Sequence, residues 1–218
     1  MQRWVAHSAG AALWVVGACA LAAWVTWLAL APAAVEHFMG ETGPVERVTA
    51  ATYALCALAI WRLHLPSDDR RSVLAASVVM LAFCARELDW HRTFTGSSVL
   101  RLSWYAGPAS PGAKALAAGA VLVVIAALAW LVLRHAGDVV SGWRRRRPTA
   151  VTILVFIALL VVAKTLDRSV SMLIEDVGVD VSLKWKALRS AFEEWFELGL
   201  SMLVGLWLLQ HRADADGA

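Results

Sequence analysis

Residues 148–168 read PTAVTILVFIALLVVAKTLDR, an apolar run that ends abruptly in charge. Between Arg147 and Lys164 lie 16 consecutive uncharged residues, most of them aliphatic. A helix needs about 20 residues to cross the roughly 30 Å of hydrocarbon in a bilayer. A membrane helix over 148–168 must therefore bring Lys164, Asp167 and Arg168 below the membrane surface at its end.

The whole chain has the same character. Of its 218 residues, 60% are hydrophobic and 17% are charged, whereas soluble domains average about 45–50% apolar and about 25% charged residues. This composition excludes an ordinary soluble domain and a disordered chain. We predict an all-α fold, a polytopic transmembrane helical bundle that forms a single integral membrane domain over residues 1–218. Six transmembrane helices are predicted, at residues 11–33, 44–65, 72–92, 113–133, 148–168 and 191–211.

The connections between these segments are short, with two exceptions. Residues 93–112 contain three glycines and two prolines and are predicted to form a loop. Residues 169–186 alternate apolar and charged residues, which predicts a short amphipathic helix at the membrane interface. The 28 uncharged residues between His7 and Glu36 exceed the apolar core of a cleaved signal peptide, so we expect the first helix to remain.

The loops predict an orientation. An even number of helices places both termini on one side, together with the four consecutive arginines at 144–147. Short loops rich in Lys and Arg stay in the cytoplasm, so the N- and C-termini are predicted to be cytoplasmic in a bacterial inner (plasma) membrane. Membrane lipids are the expected partners. A net charge of +3 is too small to indicate nucleic acid as a partner.

Four of the six segments are too short if charged residues are left out. The uncharged runs of the second, third, fifth and sixth segments have 14, 14, 16 and 13 residues, whereas those of the first and fourth have 28 and 19. Each short segment must draw charged residues into the membrane at the end opposite the tetra-arginine loop. A charge at the centre of a membrane helix costs about 2.5–3.5 kcal/mol, and such groups face the bundle interior and pair.

These four helix ends predict a polar cavity in the periplasmic half of the bundle. Carboxylates and a histidine at these ends are candidates for acid–base catalysis: Glu46, Glu87, Asp89, His91, Asp167, Glu193 and Glu197. Basic residues there are candidates to hold a phosphate or carboxylate headgroup: Arg47, Arg86, Arg92, Lys164 and Arg168. The alternative is that the helices are short or tilted and that the charges snorkel to the interface.

Spacing along the helices predicts which of these side chains meet. Residues three or four apart share a helix face. This aligns four pairs: Glu87 with His91, Arg86 with Asp89, Lys164 with Asp167 or Arg168, and Glu193 with Glu197.

Several kinds of chemistry are compatible with such a cavity. Clustered carboxylates suit acid–base work on a lipid or membrane-confined substrate. A divalent metal is a second possibility, with Glu87, His91, Glu193 and Glu197 as ligand candidates, because a carboxylate-rich set suits Mg, Mn, Ca or iron better than zinc. Intramembrane charges are also usual in transporters. A non-enzymatic accessory or assembly subunit, in which the charges only join helices, is the remaining alternative.

Four stretches near the ends of predicted helices carry a resemblance. Residues 41–46 (ETGPVE), which open one predicted helix, and residues 85–92 (ARELDWHR), which close the next, resemble a family of uncharacterised bacterial multi-pass membrane proteins. Residues 166–168 (LDR) and 192–198 (FEEWFEL) fit the same pattern, so the resemblance covers about residues 36–200. It implies a six-helix integral membrane fold and no particular activity.

A more distant likeness is to the alkaline ceramidase superfamily of membrane hydrolases, which also carry polar residues at helix ends. That superfamily typically binds zinc through three histidines, two of them in a His-x-x-x-His pair. This sequence has no such pair. None of the superfamily's catalytic residues is therefore carried over.

Overall fold

The computed structural model describes residues 7–40, 43–64, 68–93, 98–99, 101–175, 178 and 181–216. Over these residues helices are the only regular secondary structure, which confirms the all-α part of the predicted fold class. The helices are α1 (Ala11–Ala29), α2 (Pro32–Met39), α3 (Pro44–Leu63), α4 (Arg70–Glu87), α5 (Trp90–Thr93), α6 (Leu102–Ala106), α7 (Pro111–Arg144), α8 (Pro148–Glu175) and α9 (Leu183–Asp216).

The chain divides into two compact units. Unit 1 comprises Met1–Thr52 and Gly137–Ala218, and unit 2 comprises Tyr53–Ala136. That the whole chain forms a single membrane domain stays a prediction.

Three helices in the described part of the chain are long and apolar enough to cross a membrane. They are α1, α7 and the Pro148–Ser169 portion of α8. The most apolar stretch of α7 buries none of its residues, and Leu122, Ile125 and Leu133 of that helix are more than half exposed. A helix that is apolar on all sides and exposed belongs in lipid rather than in water.

The first predicted helix is interrupted near its end. One helix is predicted over 11–33, but α1 ends at Ala29 and α2 begins at Pro32. Leu30 and Ala31 are extended, with ψ of 148° and 144°. Proline disfavours helical backbone in the residue before it and is well suited to the first position of a new helix. Pro32 therefore ends one helix and starts the next.

The third predicted helix is interrupted as well. It was expected over 72–92, but α4 begins at Arg70 and ends at Glu87. Asp89 follows with a φ of +48°, in the left-handed region that aspartate adopts more readily than most side chains. The short helix α5 then begins at Trp90. The chain turns between Glu87 and Trp90, so the continuous register predicted across this point is wrong.

The last three long helices extend beyond their predicted bounds. The predictions were 113–133, 148–168 and 191–211, whereas the observed helices are Pro111–Arg144, Pro148–Glu175 and Leu183–Asp216. The segment 169–186, predicted as a separate interfacial helix, mainly extends α8 and α9. Within the predicted loop 93–112 the structure places the short helix α6.

A tight turn joins α7 to α8 in the tetra-arginine loop. Arg146 adopts a φ of +56°. The Arg147 amide donates to the Gly142 carbonyl and the Arg146 amide to the Trp143 carbonyl, both at 2.9 Å. This is the hydrogen-bond pattern of a Schellman helix end. A Cβ on Gly142 would lie 2.8 Å from the Ala150 Cβ, so the close approach of the two helices needs a glycine there.

In unit 1, α9 packs against α8, α1 and α2. The residues at the centre of one core cluster are small or aliphatic and at most 5% exposed: Ala23, Val35, Met39, Ala187 and Ala191. Indole groups add hydrogen bonds across the same helices. Trp195 Nε1 donates to Thr26 Oγ1 at 3.0 Å, and Trp27 Nε1 donates to the Lys184 carbonyl at 3.1 Å.

The other end of unit 1 holds a buried polar pair. Thr152 Oγ1 on α8 donates to Gln210 Oε1 on α9 at 2.7 Å, and both residues are at most 1% exposed. Buried polar groups need such partners because an unsatisfied one costs about 1–3 kcal/mol. The pair joins α8 to α9 at a position well separated along both helices from the charged residues described below.

In unit 2, the start of α4 is fixed by a cluster around the Ser72 hydroxyl. That hydroxyl donates to Asp69 Oδ2 at 3.1 Å, lies 2.8 Å from His135 Nε2 and accepts from Trp130 Nε1 at 3.2 Å. The Asp69 carboxylate also caps α4, accepting from the Arg71 amide at 3.2 Å. This backbone hydrogen bond, helped by the Ser72 hydroxyl, lowers the pKa of Asp69 below its ordinary value.

Candidate functional site

Helix geometry in unit 1 brings charged residues of α8 and α9 together. On α9, Arg189, Glu193 and Glu197 follow each other at intervals of four residues and so share one face. On α8, Lys164 and Asp167 are three apart and share a face as well. The two helices pack against each other, and ion pairs form between these two faces. We call these five residues the ion-pair network.

Lys164 is the first of two cations in the ion-pair network. Its Nζ lies 2.8 Å from Glu197 Oε1 and donates a hydrogen bond to it. The same Nζ lies 3.6 Å from Asp167 Oδ2 on its own helix. The Glu197 side chain is only 4% exposed. A buried carboxylate needs such a cation, because the loss of one partner of a buried ion pair costs about 3–5 kcal/mol.

Arg189 is the second cation. Its Nη1 lies 3.0 Å from Glu193 Oε2 and 3.7 Å from Asp167 Oδ1. It also donates to the main-chain carbonyl of Asp167 at 3.3 Å, which ties α9 to the backbone of α8. The Nε of Arg189 is buried and has no hydrogen-bond partner among the described residues.

A third helix contributes next to Arg189. The Ser190 hydroxyl donates to Glu36 Oε1 on α2 at 3.2 Å. Ser190 is itself buried. The polar region therefore draws on α2, α8 and α9, the helices that form this part of unit 1.

The ion-pair network has an inner and an outer part. Three carboxylates share two cations, and their side-chain exposure rises from 4% at Glu197 through 13% at Glu193 to 39% at Asp167. The two glutamates hold the cations from the buried side. Asp167 lies at the accessible side, in contact with both cations.

Four of the predicted site residues belong to the ion-pair network: Lys164, Asp167, Glu193 and Glu197. The predicted pairing of Lys164 with Asp167 is observed. Three other predicted residues of unit 1 lie elsewhere. Glu46 is half-buried and Arg47 exposed in the first turns of α3, and Arg168 is exposed on α8.

The other predicted site residues belong to unit 2. Glu87 is buried, 5% exposed, and its Oε1 lies 3.4 Å from the Nη1 of its neighbour Arg86. Asp89 Oδ2 lies 3.8 Å from Arg92 Nη1. The turn after Glu87 thus places Asp89 with Arg92, whereas a continuous helix was expected to align it with Arg86.

Two predictions fall outside what the structure describes. They concern the side chain of His91 and the first two residues, 41 and 42, of the stretch 41–46 that carries the resemblance. That all four predicted helix ends line one cavity stays a prediction, because the candidate residues belong to both units.

Arg189 and Ser190 were missed by the sequence analysis. Residues 169–186 are predicted to lie at the membrane interface, and the sixth helix is predicted to begin at Ala191. Both residues therefore fall between the two predicted segments. The signal that could have found Arg189 is its spacing of four from Glu193, the same spacing that joins Glu193 to Glu197.

The structure adds nothing in favour of the metal alternative. Among the described residues, no group of three or more His, Cys, Asp or Glu side chains is arranged to hold a metal ion. The oxygens of the ion-pair network are instead directed at Lys164 and Arg189.

Comparison with known proteins assigns no relative: no family model, no curated protein and no solved structure matches this chain. The resemblance to bacterial multi-pass membrane proteins therefore stays a prediction. Fold and site together define an all-helical protein with helices able to cross a membrane and with an ion-pair network between α8 and α9.

Proposed function

We propose that this chain is a multi-pass protein of a bacterial inner membrane whose ion-pair network binds the headgroup of a membrane-confined substrate. In this proposal the chain spans the membrane six times, with both termini in the cytoplasm. The carboxylates of the network would then be available for acid–base chemistry on the bound substrate.

The helix lengths support six spans. Beyond the three strongly apolar helices, α3 has 20 residues, α4 has 18 and α9 has 34. At 1.5 Å per residue these correspond to about 30, 27 and 51 Å, against a hydrocarbon thickness of roughly 30 Å. They differ from the three strongly apolar helices in that none of them contains an 18-residue stretch that is both as apolar and as poor in charged residues.

The observation that carries the binding proposal is the arrangement of Lys164 and Arg189. Each cation is held by a buried or nearly buried glutamate, at 2.8 and 3.0 Å, and both also face the more exposed Asp167. Cations fixed in this way lose little side-chain entropy when an anion binds. Lys and Arg are the residues that recognise phosphate and carboxylate groups.

A second function is favoured by one observation. Lys164 and Arg189 both link α8 to α9, so the same ion pairs would stabilise an accessory or assembly subunit that binds no substrate. A transporter was the further alternative of the sequence analysis, and no feature of the described residues favours it over these two.

Ligand retention tests the proposal. The full-length protein would be extracted from membranes in a mild detergent and analysed by native mass spectrometry for bound lipid-like molecules. We expect Arg189→Gln to remove a ligand that the unmodified protein retains. Arg212→Gln, the same change on an exposed arginine at the other end of α9, should leave the ligand in place. Equal retention by all three proteins would favour the accessory-subunit alternative.

A further inference from the structure

Asp167 is held differently from the two glutamates of the ion-pair network. Its oxygens lie 3.6 Å from Lys164 Nζ and 3.7 Å from Arg189 Nη1. Both separations exceed the roughly 2.7–3.2 Å of an N–H···O hydrogen bond. The glutamates contact the same two nitrogens at 2.8 and 3.0 Å. The Asp167 carboxylate is therefore held by the two cations more weakly than the two glutamates are.

Accessibility points to the same residue. The Asp167 side chain is 39% exposed, whereas those of Glu193 and Glu197 are 13% and 4% exposed. An incoming ligand would meet Asp167 first and could displace it without disturbing the buried pairs. Arg189 would keep its contact with Glu193.

We infer that the Asp167 carboxylate occupies the binding site of a monoanionic phosphodiester headgroup, which displaces it and pairs with Lys164 and Arg189. This inference rests on the proposed function and names its substrate class. The contact of Asp167 with the two cations is thus autoinhibitory, because every ligand must compete with it.

The charge of the site selects the phosphodiester. A phosphodiester has one negative charge and two free oxygens, as the Asp167 carboxylate does, so the exchange leaves the charge around the two cations unchanged. A phosphomonoester carries about −1.5 to −2 charges at neutral pH. The additional charge would be repelled by Glu193 and Glu197, which remain beside the cations.

The test measures phosphodiester binding by the full-length protein in detergent. The probes are phosphatidylglycerol, a lipid phosphodiester, and glycerophosphoglycerol, its water-soluble headgroup. Asp167→Asn removes the competing charge. Exposed ion pairs of this kind are weak, so we expect about fivefold tighter binding, which corresponds to roughly 1 kcal/mol. Asp138→Asn, the same change at an exposed aspartate of α7, should bind as the unmodified protein does.

The variant Asp167→Glu is a control for effects of the substitution on folding. It keeps the negative charge and should therefore bind no more tightly than the unmodified protein. Tighter binding of the lipid alone by Asp167→Asn supports a membrane source for the ligand, and tighter binding of both probes supports the same chemistry with a soluble source. Unchanged or weaker binding of both probes overturns the inference. If binding still depends on Arg189 in that case, the proposed function survives, whereas binding independent of Arg189 overturns the proposed function itself.

Discussion

Lys164 Nζ on α8 lies 2.8 Å from Glu197 Oε1 on α9, and this ion pair joins the two helices through a carboxylate that is 4% exposed. The lysine is the more accessible partner, at 37% exposure. The pair is therefore buried on one side only. Its energetic role should lie between that of a surface ion pair and that of a fully buried one.

Lys164→Met should destabilise the protein, because it leaves the Glu197 carboxylate buried without its cation. We expect a loss of about 2–3 kcal/mol, less than for a fully buried pair because water reaches the lysine. The double variant Lys164→Met with Glu197→Leu should recover most of this loss. Unfolding by denaturant in micelles measures both changes. Lys184→Met, at an exposed lysine of α9, is the matched control and should unfold like the unmodified protein.

Gly199 lies where α9 packs closely against α1 and α8. A Cβ there would lie 3.0 Å from Cys19 Sγ on α1 and 3.4 Å from Leu159 Cδ2 on α8. Gly199→Ala should therefore destabilise the protein by about 1–2 kcal/mol, the usual effect of overpacking. Adding Cys19→Ala should restore part of the loss, since it removes the sulfur that the new methyl group meets.

Gly205 provides the control for that substitution. It lies on the same helix, and a Cβ there would meet no atom within 4 Å. Gly205→Ala should leave the protein as stable as before, or stabilise it by up to about 1 kcal/mol through helix propensity. If both glycine variants have the same thermal midpoint in micelles, α9 does not pack against α1 at Gly199 as described.

The sequence predicts where helices occur better than it predicts the residues at which they begin and end. Most of each predicted segment is helical over the described residues, as expected for long apolar runs, whose backbone has no other way to be satisfied in lipid. The observed helix ends differ from the predicted ones where a single residue interrupts the helix. Pro32 divides the first segment, and Asp89 turns the chain at the end of the third. Such interruptions depend on single residues, which a pattern of hydrophobicity does not register.

Only part of the candidate site was predicted, because spacing along the sequence indicates contacts within one helix but not contacts between helices. Spacing within one helix pairs Lys164 with Asp167, and this pair is observed. Lys164 and Glu197 lie on different helices and are 33 residues apart in sequence. Their pairing depends on how α8 and α9 pack, which spacing along one helix does not predict. Arg189 was missed because it lies between the segment 169–186, which alternates apolar and charged residues, and the predicted start of the sixth helix at Ala191.

The Asp69 cap predicts a pH dependence of stability. The hydrogen bond from the Arg71 amide lowers the pKa of Asp69 in the folded protein below its ordinary value of 3.8. The ionised carboxylate thus contributes stability that is fully present above pH 3.8 and is lost as the pH falls through the lowered folded pKa.

Thermal midpoints of the protein and of Asp69→Asn between pH 6 and pH 2 would show this contribution. Asparagine caps a helix about as well as aspartate but does not titrate in this range. The unmodified protein should therefore be the more stable at pH 6, and its advantage should shrink on acidification below about pH 4. An advantage that is the same at both ends of the range would show that the Asp69 carboxylate contributes nothing through its charge.

The central claim of the proposal is that the ion-pair network lies in the periplasmic half of the membrane, across from the tetra-arginine loop. Arg145 in that loop and Arg168 beside Asp167 are both exposed and 23 residues apart along the chain, and α8 begins at Pro148 between them. A cysteine would be placed at either position after Cys19, Cys56 and Cys84 are replaced by alanine. The measurement is labelling of intact cells by a thiol reagent that cannot cross the inner membrane. We expect labelling of Arg168→Cys in intact cells and of Arg145→Cys only after the membrane is permeabilised. Labelling of both positions from the same side would contradict the claim.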